Sequence, residues 1–545
     1  MSTYSRLMAK FFKFPPAETH DIKVEKDLKI PMPDGAVLLA NRYYPHKLGK
    51  RPTILICSVY NTRTSPSYSA ISIATAEQGF NVVAVNSRGS FGSTGDFDPF
   101  FSEQKDAPNI IEWLKKQEWF NGELCSQGAS YYGYSQWPIA GYAGQLLKAM
   151  STQATGSNFR DMVYSGDTPM LEVFLFWMDT IESMHKNLLA SLIAYETGPN
   201  KRTKVAKHLP LGELDTKLVG HKNKFWTEWL NHNQEHENYW KPGDNSSAVS
   251  ITETPNHMVS GWHDFFLPPL IKDYNTQKGN KKAPYLTIGP WTHAQTAQDG
   301  GREGMIWLNA HMLNRRDDLR EAPVCVFVMG SSNEWREYST WPPENMKIEK
   351  WYLQPKFGLT TDLPVDSMPD NYVYDPANPT PSVGGAATGK PVYDNRELES
   401  RPDVLSYTSN ILGDDMELIG PVSAELFVKS SLEYTDFFVK ICDVDPSGKS
   451  LNVCDGIQRL FPERPSPQPD GTIQVTVNLW PTAYRFMKGH KIRVQISSGA
   501  FPRFARNLGT DEPLATATKM KVANQSIFHD PEHPSTIFLP IIKGS

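Results

Sequence analysis

One stretch decides the fold: Glu123-Leu124-Cys125-Ser126-Gln127-Gly128-Ala129-Ser130-Tyr131-Tyr132-Gly133-Tyr134 passes from a short apolar run into a segment of helical character. A serine between glycines at such a junction is typical of a tight strand-to-helix turn, which exposes the hydroxyl at one edge of a sheet. There the hydroxyl can attack a carbonyl carbon, and the next backbone N–H can donate to the negative charge that develops on the oxygen. The stretch therefore predicts a nucleophile at Ser130. The alternative is a serine that only caps a helix N-terminus.

The sequence around this stretch alternates between continuous apolar runs and helical segments. Residues 52–57 and 80–85 are apolar runs, a helical segment lies between them at 70–77, and another follows at about 104–117. Apolar strands that alternate with helices indicate a parallel sheet that is buried on both faces. A hairpin, predicted over residues 22–46 from its Pro-Asp-Gly turn, precedes this region.

The alternating pattern stops at about residue 156, and this divides the chain. Residues 1–155 and 246–315 are predicted to form one α/β domain. Residues 156–245 carry aromatic, leucine and lysine residues at helical spacing, which predicts an inserted helical cap. From 316 to 545, short alternating strands are separated by turn residues, which is typical of a β-sandwich and plausible for a jelly roll.

The bulk composition excludes several classes of partner. The 545 residues include 55 Lys and Arg and 60 Asp and Glu, a net charge of −5. This balance gives no electrostatic signal for nucleic acid or for an anionic membrane. No apolar run is long enough for a transmembrane helix, the N-terminal residues lack a signal peptide pattern, and the five scattered cysteines form no CxxC pair. We expect a cytoplasmic protein, for which a monomer and a homo-oligomer both stay open.

Two later segments supply candidate partners for Ser130. An apolar run that ends at Gly261-Trp262-His263 is followed by Asp264, and the run 285–290 is followed by Trp291-Thr292-His293. The carboxyl ends of parallel strands lie at one edge of a sheet, so both side chains are expected on loops near the serine. In the chain order Ser, Asp, His, the histidine would accept the serine proton and the aspartate would orient the imidazole. His263 stays open as the alternative base.

The sequence offers one candidate for the second donor to the oxyanion. A glycine-rich loop after an early strand often supplies it, but this chain has Ser58-Val59-Tyr60-Asn61-Thr62-Arg63 at that position. A tyrosine hydroxyl has a reference pKa of about 10, so it is neutral at pH 7 and can donate a hydrogen bond. Tyr60 is therefore either an oxyanion donor or a packing tyrosine.

Together these motifs resemble the cocaine-esterase-like (CocE/NonD) serine hydrolases, whose relatives include α-amino-acid ester hydrolases and X-prolyl dipeptidyl peptidases. The second glycine of the serine turn falls one place later than in the common five-residue motif, and this departure is usual in the family. The resemblance covers most of the chain, and its segments are Gly128-Ala129-Ser130-Tyr131-Tyr132-Gly133, Gly261-Trp262-His263-Asp264, Gly289-Pro290-Trp291-Thr292-His293, Asp455-Gly456-Ile457 and Phe501-Pro502-Arg503-Phe504-Ala505-Arg506-Asn507.

The resemblance implies a fold and a set of functional residues. The fold class is α/β: an α/β-hydrolase domain with an inserted helical cap and a C-terminal jelly-roll β-sandwich domain. Ser130, Asp264 and His293 would form a catalytic triad. The Tyr60 hydroxyl and the Tyr131 backbone N–H would bind the oxyanion.

The residues after Asp264 bear on the substrate. In the α-amino-acid ester hydrolases some of the carboxylates that bind a substrate ammonium follow the catalytic aspartate, whereas this chain has Phe265-Phe266-Leu267-Pro268-Pro269. An ammonium would be unpaired there, so Phe265 and Phe266 predict an uncharged aromatic or aliphatic acyl group. Cap carboxylates such as Asp167 or Glu172 are an alternative partner for an amine. Trp177 is similar in position to a tryptophan of the family's acyl pocket, with a core aromatic residue as the alternative.

The sequence thus predicts a serine esterase that acts on a small-molecule ester, with an amide second, through an acyl-enzyme and without a cofactor or metal. The stretch His529-Asp530-Pro531-Glu532-His533 has metal-binding residue types, but its prolines favour a loop. An acyltransferase, or an amide or peptide hydrolase with the same triad, is one alternative. A non-catalytic binding protein on the same scaffold is the other.

Overall fold

The computed structural model of the chain describes residues 3–186, 188–234, 236–279, 283–386, 389–462 and 465–542, with the backbone alone at 3 and 186–196. Its internal contacts divide it into two units. The first unit is formed by Met1–Met162, Thr180–Leu192 and His236–Cys325, and the second by Val163–Asp179, Ile193–Glu235 and Val326–Ser545.

All but the last of the α-helices that the structure describes lie before residue 313. Those in the described ranges are α1 (Thr3–Phe11), α2 (Pro66–Glu77), α3 (Glu103–Lys115), α4 (Tyr131–Tyr134), α5 (Gln136–Ala143), α6 (Phe159–Val163), α7 (Leu171–Lys186), α8 (Leu188–Ala206), α9 (Leu214–Val219), α10 (Lys224–Asn231), α11 (Ser246–Ile251), α12 (Leu267–Gln277), α13 (His293–Met312) and α14 (Arg396–Glu399). None of these helices combines the length and the apolar content that a bilayer crossing requires.

The first unit contains the predicted parallel sheet. The strands before residue 293 are β1 (Ile22–Pro31), β2 (Val37–Pro45), β3 (Thr53–Ser58), β4 (Asn81–Asn86), β5 (Leu124–Ala129), β6 (Leu147–Gln153), β7 (Tyr164–Ser165), β8 (Thr168–Pro169), β9 (Asn256–His263) and β10 (Tyr285–Thr292). Within the first unit they pair in the order β1-β2-β4-β3-β5-β6-β9-β10, and all pairs from β4 onward are parallel. Every residue of β4 and of β9 is buried, as strands covered on both faces require.

This sheet confirms the predicted α/β-hydrolase fold and the hairpin before it. The predicted elements also differ from the structure in two places. Residues 156–245 contain the two-residue strands β7 and β8 besides helices, and these strands are too short to leave a pattern in the sequence. His293, predicted on a loop, is the first residue of the helix α13.

The C-terminal part consists mostly of strands, as predicted. They are β11 (Val324–Gly330), β12 (Glu334–Tyr338), β13 (Met346–Gln354), β14 (Gly358–Thr360), β15 (Asp370–Tyr374), β16 (Leu405–Ser409), β17 (Met416–Ser430), β18 (Thr435–Val444), β19 (Ser450–Leu460), β20 (Ile473–Phe486), β21 (Lys491–Ser497), β22 (Ala523–Phe528) and β23 (Thr536–Ile542). The longest pairing is antiparallel and joins β17 to β20. From Gly420 to Val428, alternate residues of β17 are buried, which is the pattern of a sheet with one covered face.

Two of the sequence motifs in this part meet in a buried ion pair. Arg503 Nη1 donates to the carboxylate of Asp455 at 2.8 Å, and both side chains are almost completely buried. The next residue, Gly456, has no room for a side chain, because a Cβ at this position would be 2.3 Å from the carbonyl oxygen of Asn478. The Asp455-Gly456 segment is thus determined by charge pairing and by close backbone approach.

Candidate active site

Ser130 occupies the predicted turn between β5 and α4. Its backbone has φ 60° and ψ −125°, a strained conformation for a residue with a side chain. Its N–H donates to the carbonyl oxygens of Gln153 at 3.0 Å and Ala154 at 3.2 Å, which anchors the turn to the end of β6. The Ser130 side chain makes no capping hydrogen bond, so the alternative of a serine that caps the helix is not supported.

The two glycines of the serine motif have different roles. Gly128 has φ 153°, and a Cβ there would lie 2.4 Å from the Tyr132 Cβ. Gly133 lies against the end of β6, where a Cβ would be 2.6 Å from Thr155 Cγ2. The late second glycine is therefore required where the short helix α4 crosses the loop after β6.

Asp264 and His293 are hydrogen-bonded to each other. His293 Nδ1 lies 3.0 Å from Asp264 Oδ1, and the aspartate is fully buried. The Phe266 N–H donates to the same oxygen at 3.0 Å, and the Ser260 hydroxyl lies 3.4 Å from Oδ2. A carboxylate oxygen accepts hydrogen bonds, so an Nδ1–H of the imidazole would donate to it, and Nε2 is the ring nitrogen left to accept a proton.

The position of His293 depends on a local irregularity between β9 and β10. Their register shifts after Gly289, and Thr292 then pairs with His263. Trp291 packs closely against two glycines at this point. A Cβ on Gly289 would be 2.3 Å from the Trp291 ring, and a Cβ on Gly261 would be 2.1 Å from the Trp291 carbonyl oxygen. Both glycines of the sequence motifs are therefore needed for this turn.

Helix α13 begins immediately after the turn and fixes the His293 backbone. Thr292 forms a capping box with Gln295, whose side chain accepts a hydrogen bond from the Thr292 N–H at 3.0 Å. The signal for this helix was present in the sequence as a threonine followed three residues later by glutamine. His263, the alternative base, is a buried residue of β9, and the Asp264 hydrogen bond is made by His293.

Phe265 and Phe266 surround the imidazole of His293. The Phe265 ring stacks on it with a centroid distance of 4.2 Å, and the Phe266 ring meets it edge-on at 5.1 Å. Both phenylalanines are buried. Their contact with the imidazole restricts its orientation, and their predicted contact with an acyl group stays a prediction.

Tyr60 belongs to a cluster of tyrosines beside the serine turn. Its ring lies 6.1 Å from Tyr131, 5.5 Å from Tyr132 and 6.4 Å from Tyr68. Its backbone is held by Ser58 Oγ, which accepts the Tyr60 N–H at 2.9 Å. Burial raises the pKa of the Tyr68, Tyr131 and Tyr132 phenols, so these hydroxyls stay protonated and can act as donors.

The sheet order brings the candidate residues to one edge. Ser130 follows β5, Asp264 follows β9 and His293 follows β10, and these strands run parallel with β6 between β5 and β9. The carboxyl ends of such strands form the usual ligand edge of an open α/β sheet.

Known proteins share sequence and fold with this chain. Residues 34–295 match the protein family described as X-Pro dipeptidyl-peptidase (S15 family). Residues 319–537 match the family described as X-Pro dipeptidyl-peptidase C-terminal non-catalytic domain. Cocaine esterase from Rhodococcus sp. (strain MB1 Bresler) is 30% identical over 571 residues, which cover 95% of this chain and 99% of that protein. The chain belongs to the cocaine-esterase-like hydrolase family. It is therefore an enzyme of a hydrolase family.

Solved structures share the fold of this family member at lower sequence identity. An α-amino acid ester hydrolase has a TM-score of 0.78 at 21% identity, and covers 97% of this chain and 98% of its own. An aminopeptidase from a marine sediment archaeon, Thaumarchaeota archaeon, has a TM-score of 0.77 at 22% identity with the same coverage. The likeness extends over both units of the chain.

The cap residues named from the sequence lie in the second unit of this hydrolase. Trp177, on α7, is partly buried, and its ring lies 5.6 Å from Phe225 and 5.8 Å from Trp229. Asp167 and Glu172 belong to the same unit. The predicted role of Trp177 in an acyl pocket stays a prediction, and so does the alternative role of the two carboxylates.

The two histidines of the metal-like stretch are held by side chains of the C-terminal part. His529 lies 2.9 Å from both Ser367 Oγ and Asp370 Oδ2, and His533 Nδ1 lies 3.1 Å from Asp530 Oδ2. In the described ranges no group of three or more metal-ligating side chains is placed to hold an ion.

Two buried acids next to the site had no sequence signal. Glu103 accepts the hydroxyl hydrogen bond of Tyr131, and Asp273 binds Ser157 in the loop after β6. An acid in the first turn of a helix, as Glu103 is, is the ordinary arrangement for the helix dipole and attracts no attention in a sequence.

Proposed function

We propose that this chain is a serine esterase that hydrolyses an uncharged acyl ester through a covalent acyl-enzyme. The proposal rests on one observation: the strained turn at Ser130 and the Asp264–His293 hydrogen bond lie at the same edge of the sheet. The nucleophile would be Ser130, the base His293 and the orienting carboxylate Asp264.

The reaction would proceed in two balanced halves. Ser130 Oγ attacks the ester carbonyl while its proton passes to His293 Nε2, and the imidazolium then protonates the leaving alcohol as the ester bond breaks. Water attacks the acyl-enzyme with His293 again as base, which releases the acid and restores the Ser130 hydroxyl. Asp264 stays ionised throughout and stabilises the imidazolium.

The oxyanion of each tetrahedral intermediate would be bound by the Tyr131 N–H and the Tyr60 hydroxyl. The residue after the nucleophile supplies this N–H in α/β-hydrolases because the strained turn aims it at the reacting carbonyl. Tyr60 lies beside Tyr131 in the tyrosine cluster, which supports its choice as the second donor.

The uncharged acyl group follows from the apolar residues after Asp264. Phe265 and Phe266 are buried against His293, and no carboxylate follows the aspartate directly. Two substrates that differ only in the α-amine test this part: methyl phenylacetate and the methyl ester of phenylglycine. We expect a higher kcat/KM for the phenylacetate. A higher value for the amine ester would contradict the proposed acyl specificity.

The catalytic proposal is tested by burst kinetics with p-nitrophenyl acetate, butyrate and benzoate, for the wild type and Ser130→Ala. A burst of p-nitrophenol that is stoichiometric with enzyme and absent in the variant is the expected result. Labelling by a fluorophosphonate, lost in Ser130→Ala, gives a second readout. A folded wild type that is inactive on all three esters and is not labelled would favour a non-catalytic binding protein.

The family description favours one alternative, a peptide hydrolase with the same triad. A p-nitroanilide of a dipeptide that ends in proline distinguishes it. If kcat/KM for that anilide exceeds kcat/KM for each of the three esters, and the activity is lost in Ser130→Ala, the peptide hydrolase would replace the esterase proposal.

A further inference from the structure

Tyr131 is anchored at the far end of its side chain by a buried carboxylate. Its hydroxyl donates to Glu103 Oε1, and the phenol oxygen also accepts the Phe100 N–H at 3.3 Å. The Phe100 ring lies against the Tyr131 ring at 4.6 Å. Tyr131 is 1% exposed and Glu103 is 6% exposed, so neither partner exchanges this contact for solvent.

The pKa values of Glu103 and Tyr131 determine which of the two donates this hydrogen bond. Burial raises the pKa of Glu103 to about 7, with a further rise from Asp106, while the Tyr131 hydroxyl and Ser87 lower it. Burial, and then the Glu103 charge, raise the pKa of Tyr131 well above its usual value. The phenol therefore keeps its proton and donates. Asp106, whose charge contributes to the rise of the Glu103 pKa, is paired with Arg88 at 2.5 Å.

The second carboxylate oxygen of Glu103, Oε2, is not bound by Tyr131. Oε2 is buried and has no hydrogen-bond partner among the protein groups that the structure describes. Glu103 lines a small cavity of about 20 Å³ together with polar side chains of Ser87, Asp106 and Ser135 and with apolar residues. One water needs roughly 10–15 Å³, so the cavity has room for it, and Glu103, whose Oε2 lacks a partner, is the polar group at its wall that such a water would satisfy.

We propose that Glu103 is a positioning residue of the oxyanion site, holding Tyr131 through one carboxylate oxygen and a single buried water through the other. This inference rests on the proposed role of the Tyr131 N–H as oxyanion donor. The N–H and the ring belong to one residue, so a ring that is fixed at its hydroxyl restricts rotation of the peptide that must point at the oxyanion. Glu103 itself does not touch the substrate.

A positioning role predicts a specific kinetic pattern. The oxyanion exists in the transition state and not in the bound ester, so weaker alignment of its donor lowers the acylation rate constant and leaves the dissociation constant of the bound ester unchanged, as single-turnover rates at several ester concentrations measure. Loss of a whole oxyanion donor costs 10²–10³ in rate, and misalignment costs less, so we expect a loss of about tenfold. A merely structural role for Glu103 would lower the melting temperature without this split.

The experiment compares Glu103→Leu, Tyr131→Phe and the double variant in single-turnover acylation by p-nitrophenyl acetate. Each single variant removes one partner of the hydrogen bond and is expected to lose about tenfold in acylation rate, and the double variant no more than one of them, because the two groups act through one hydrogen bond. Glu112→Leu is the matched control: it lies on the same helix, is exposed and pairs with Lys115, so its rate should equal that of the wild type.

The outcomes separate this inference from the proposed function. Turnover that survives in Ser130→Ala would contradict the proposed function. An inactive Ser130→Ala together with wild-type rates in Glu103→Leu and Tyr131→Phe would contradict the positioning role alone, as would additive losses in the double variant. If Glu103→Leu does not fold, Tyr131→Phe decides, because it removes the same bond and leaves the carboxyl in place.

The water is tested separately by a high-resolution crystal structure of the wild type. We expect one ordered water within hydrogen-bond distance of Glu103 Oε2. A cavity without electron density at that distance would overturn the water part of the proposal.

Discussion

Asp273 accepts two hydrogen bonds from Ser157. Its Oδ1 binds the serine hydroxyl at 2.6 Å and its Oδ2 binds the serine N–H at 2.7 Å. Asp273 lies on α12, which begins three residues after Asp264, and Ser157 lies three residues after the Ala154 carbonyl that holds the Ser130 N–H. A single buried carboxyl thus joins the helix that follows the candidate acid to the loop that anchors the candidate nucleophile.

The first prediction concerns the pH dependence of stability at this carboxyl. Burial raises the pKa of Asp273 from 3.8 to about 7. The folded state therefore keeps the proton up to about pH 7, whereas the unfolded state loses it near pH 4, so this group lowers stability as the pH rises between those values. The slope for one such group is at most about 1.4 kcal/mol per pH unit.

Asp273→Asn should flatten the dependence of the melting temperature on pH between about 4 and 7, whatever its effect on the absolute value. Asp21→Asn, at a half-exposed pair with Lys47, is the control and should keep the wild-type slope. Glu103→Gln should act in the same direction, since the Glu103 pKa is raised to about 7 by burial. Parallel curves for all variants would contradict this assignment.

The second prediction concerns the base and its orienting acid. Asp264→Asn would stabilise the wrong imidazole tautomer, and the corresponding change in a serine triad lowers kcat by about 10⁴. His293→Gln should lower kcat at least as much. His263→Gln is the matched control, since the Asp264 hydrogen bond is made by His293, and it should retain most activity in the p-nitrophenyl ester assay. A larger loss in a folded His263→Gln would assign the base to His263.

The third prediction concerns the late glycine of the serine motif. Gly133→Ala would place a Cβ 2.6 Å from Thr155 Cγ2, so we expect a loss of about 1–3 kcal/mol and a displaced serine turn. Gly141→Ala is a control in the neighbouring helix α5, where the new Cβ would meet only Ala248 at an ordinary 3.5 Å. It should stabilise by up to about 1 kcal/mol because alanine is the better helix former.

Thermal unfolding and the esterase burst measure both glycine variants. The expected order of melting temperatures is Gly141→Ala, wild type, Gly133→Ala, with a reduced burst in Gly133→Ala only. Equal melting temperatures for the two variants would show that α4 can move away from the Thr155 loop.

The fourth prediction concerns the buried ion pair of the C-terminal part. Asp455→Asn leaves the Arg503 guanidinium buried without its counter-charge, and such a change costs about 3–5 kcal/mol. Asp414→Asn is the control, because Asp414 is 98% exposed and its contact with Lys488 is 4.0 Å long. Calorimetry should show a lowered unfolding transition for Asp455→Asn and an unchanged one for Asp414→Asn. An unchanged transition in Asp455→Asn would mean that the guanidinium reaches solvent.

The sheet and the serine turn were predictable because their signals are local. A buried parallel strand such as β4 needs an uninterrupted apolar run, and the strained turn at Ser130 needs glycine at position 128. Both requirements are met by neighbouring residues in the chain. Strand order along the sheet then places the ends of β5, β9 and β10 together without further information.

The helix at His293 shows where the prediction failed. The Thr292–Gln295 capping box was present in the sequence, but the following residues include two adjacent glycines, Gly300 and Gly301, that weaken the helical pattern. Tertiary packing requires small residues there: a Cβ on Gly300 would lie 2.8 Å from Gln153 Oε1. Close contact with β6 thus overrode intrinsic helix propensity.

The sequence by itself determined the alternation of strands and helices before residue 156, the serine turn and the family, because each depends on residues that are close in the chain or on motifs with fixed spacing. Only the tertiary structure decided that His293 binds Asp264, that Glu103 binds the Tyr131 hydroxyl, and that Asp273 holds Ser157. These contacts join residues between 28 and 116 positions apart. Hydrogen bonds of that kind depend on distances that only the packed sheet and its helices set, and no local pattern records them.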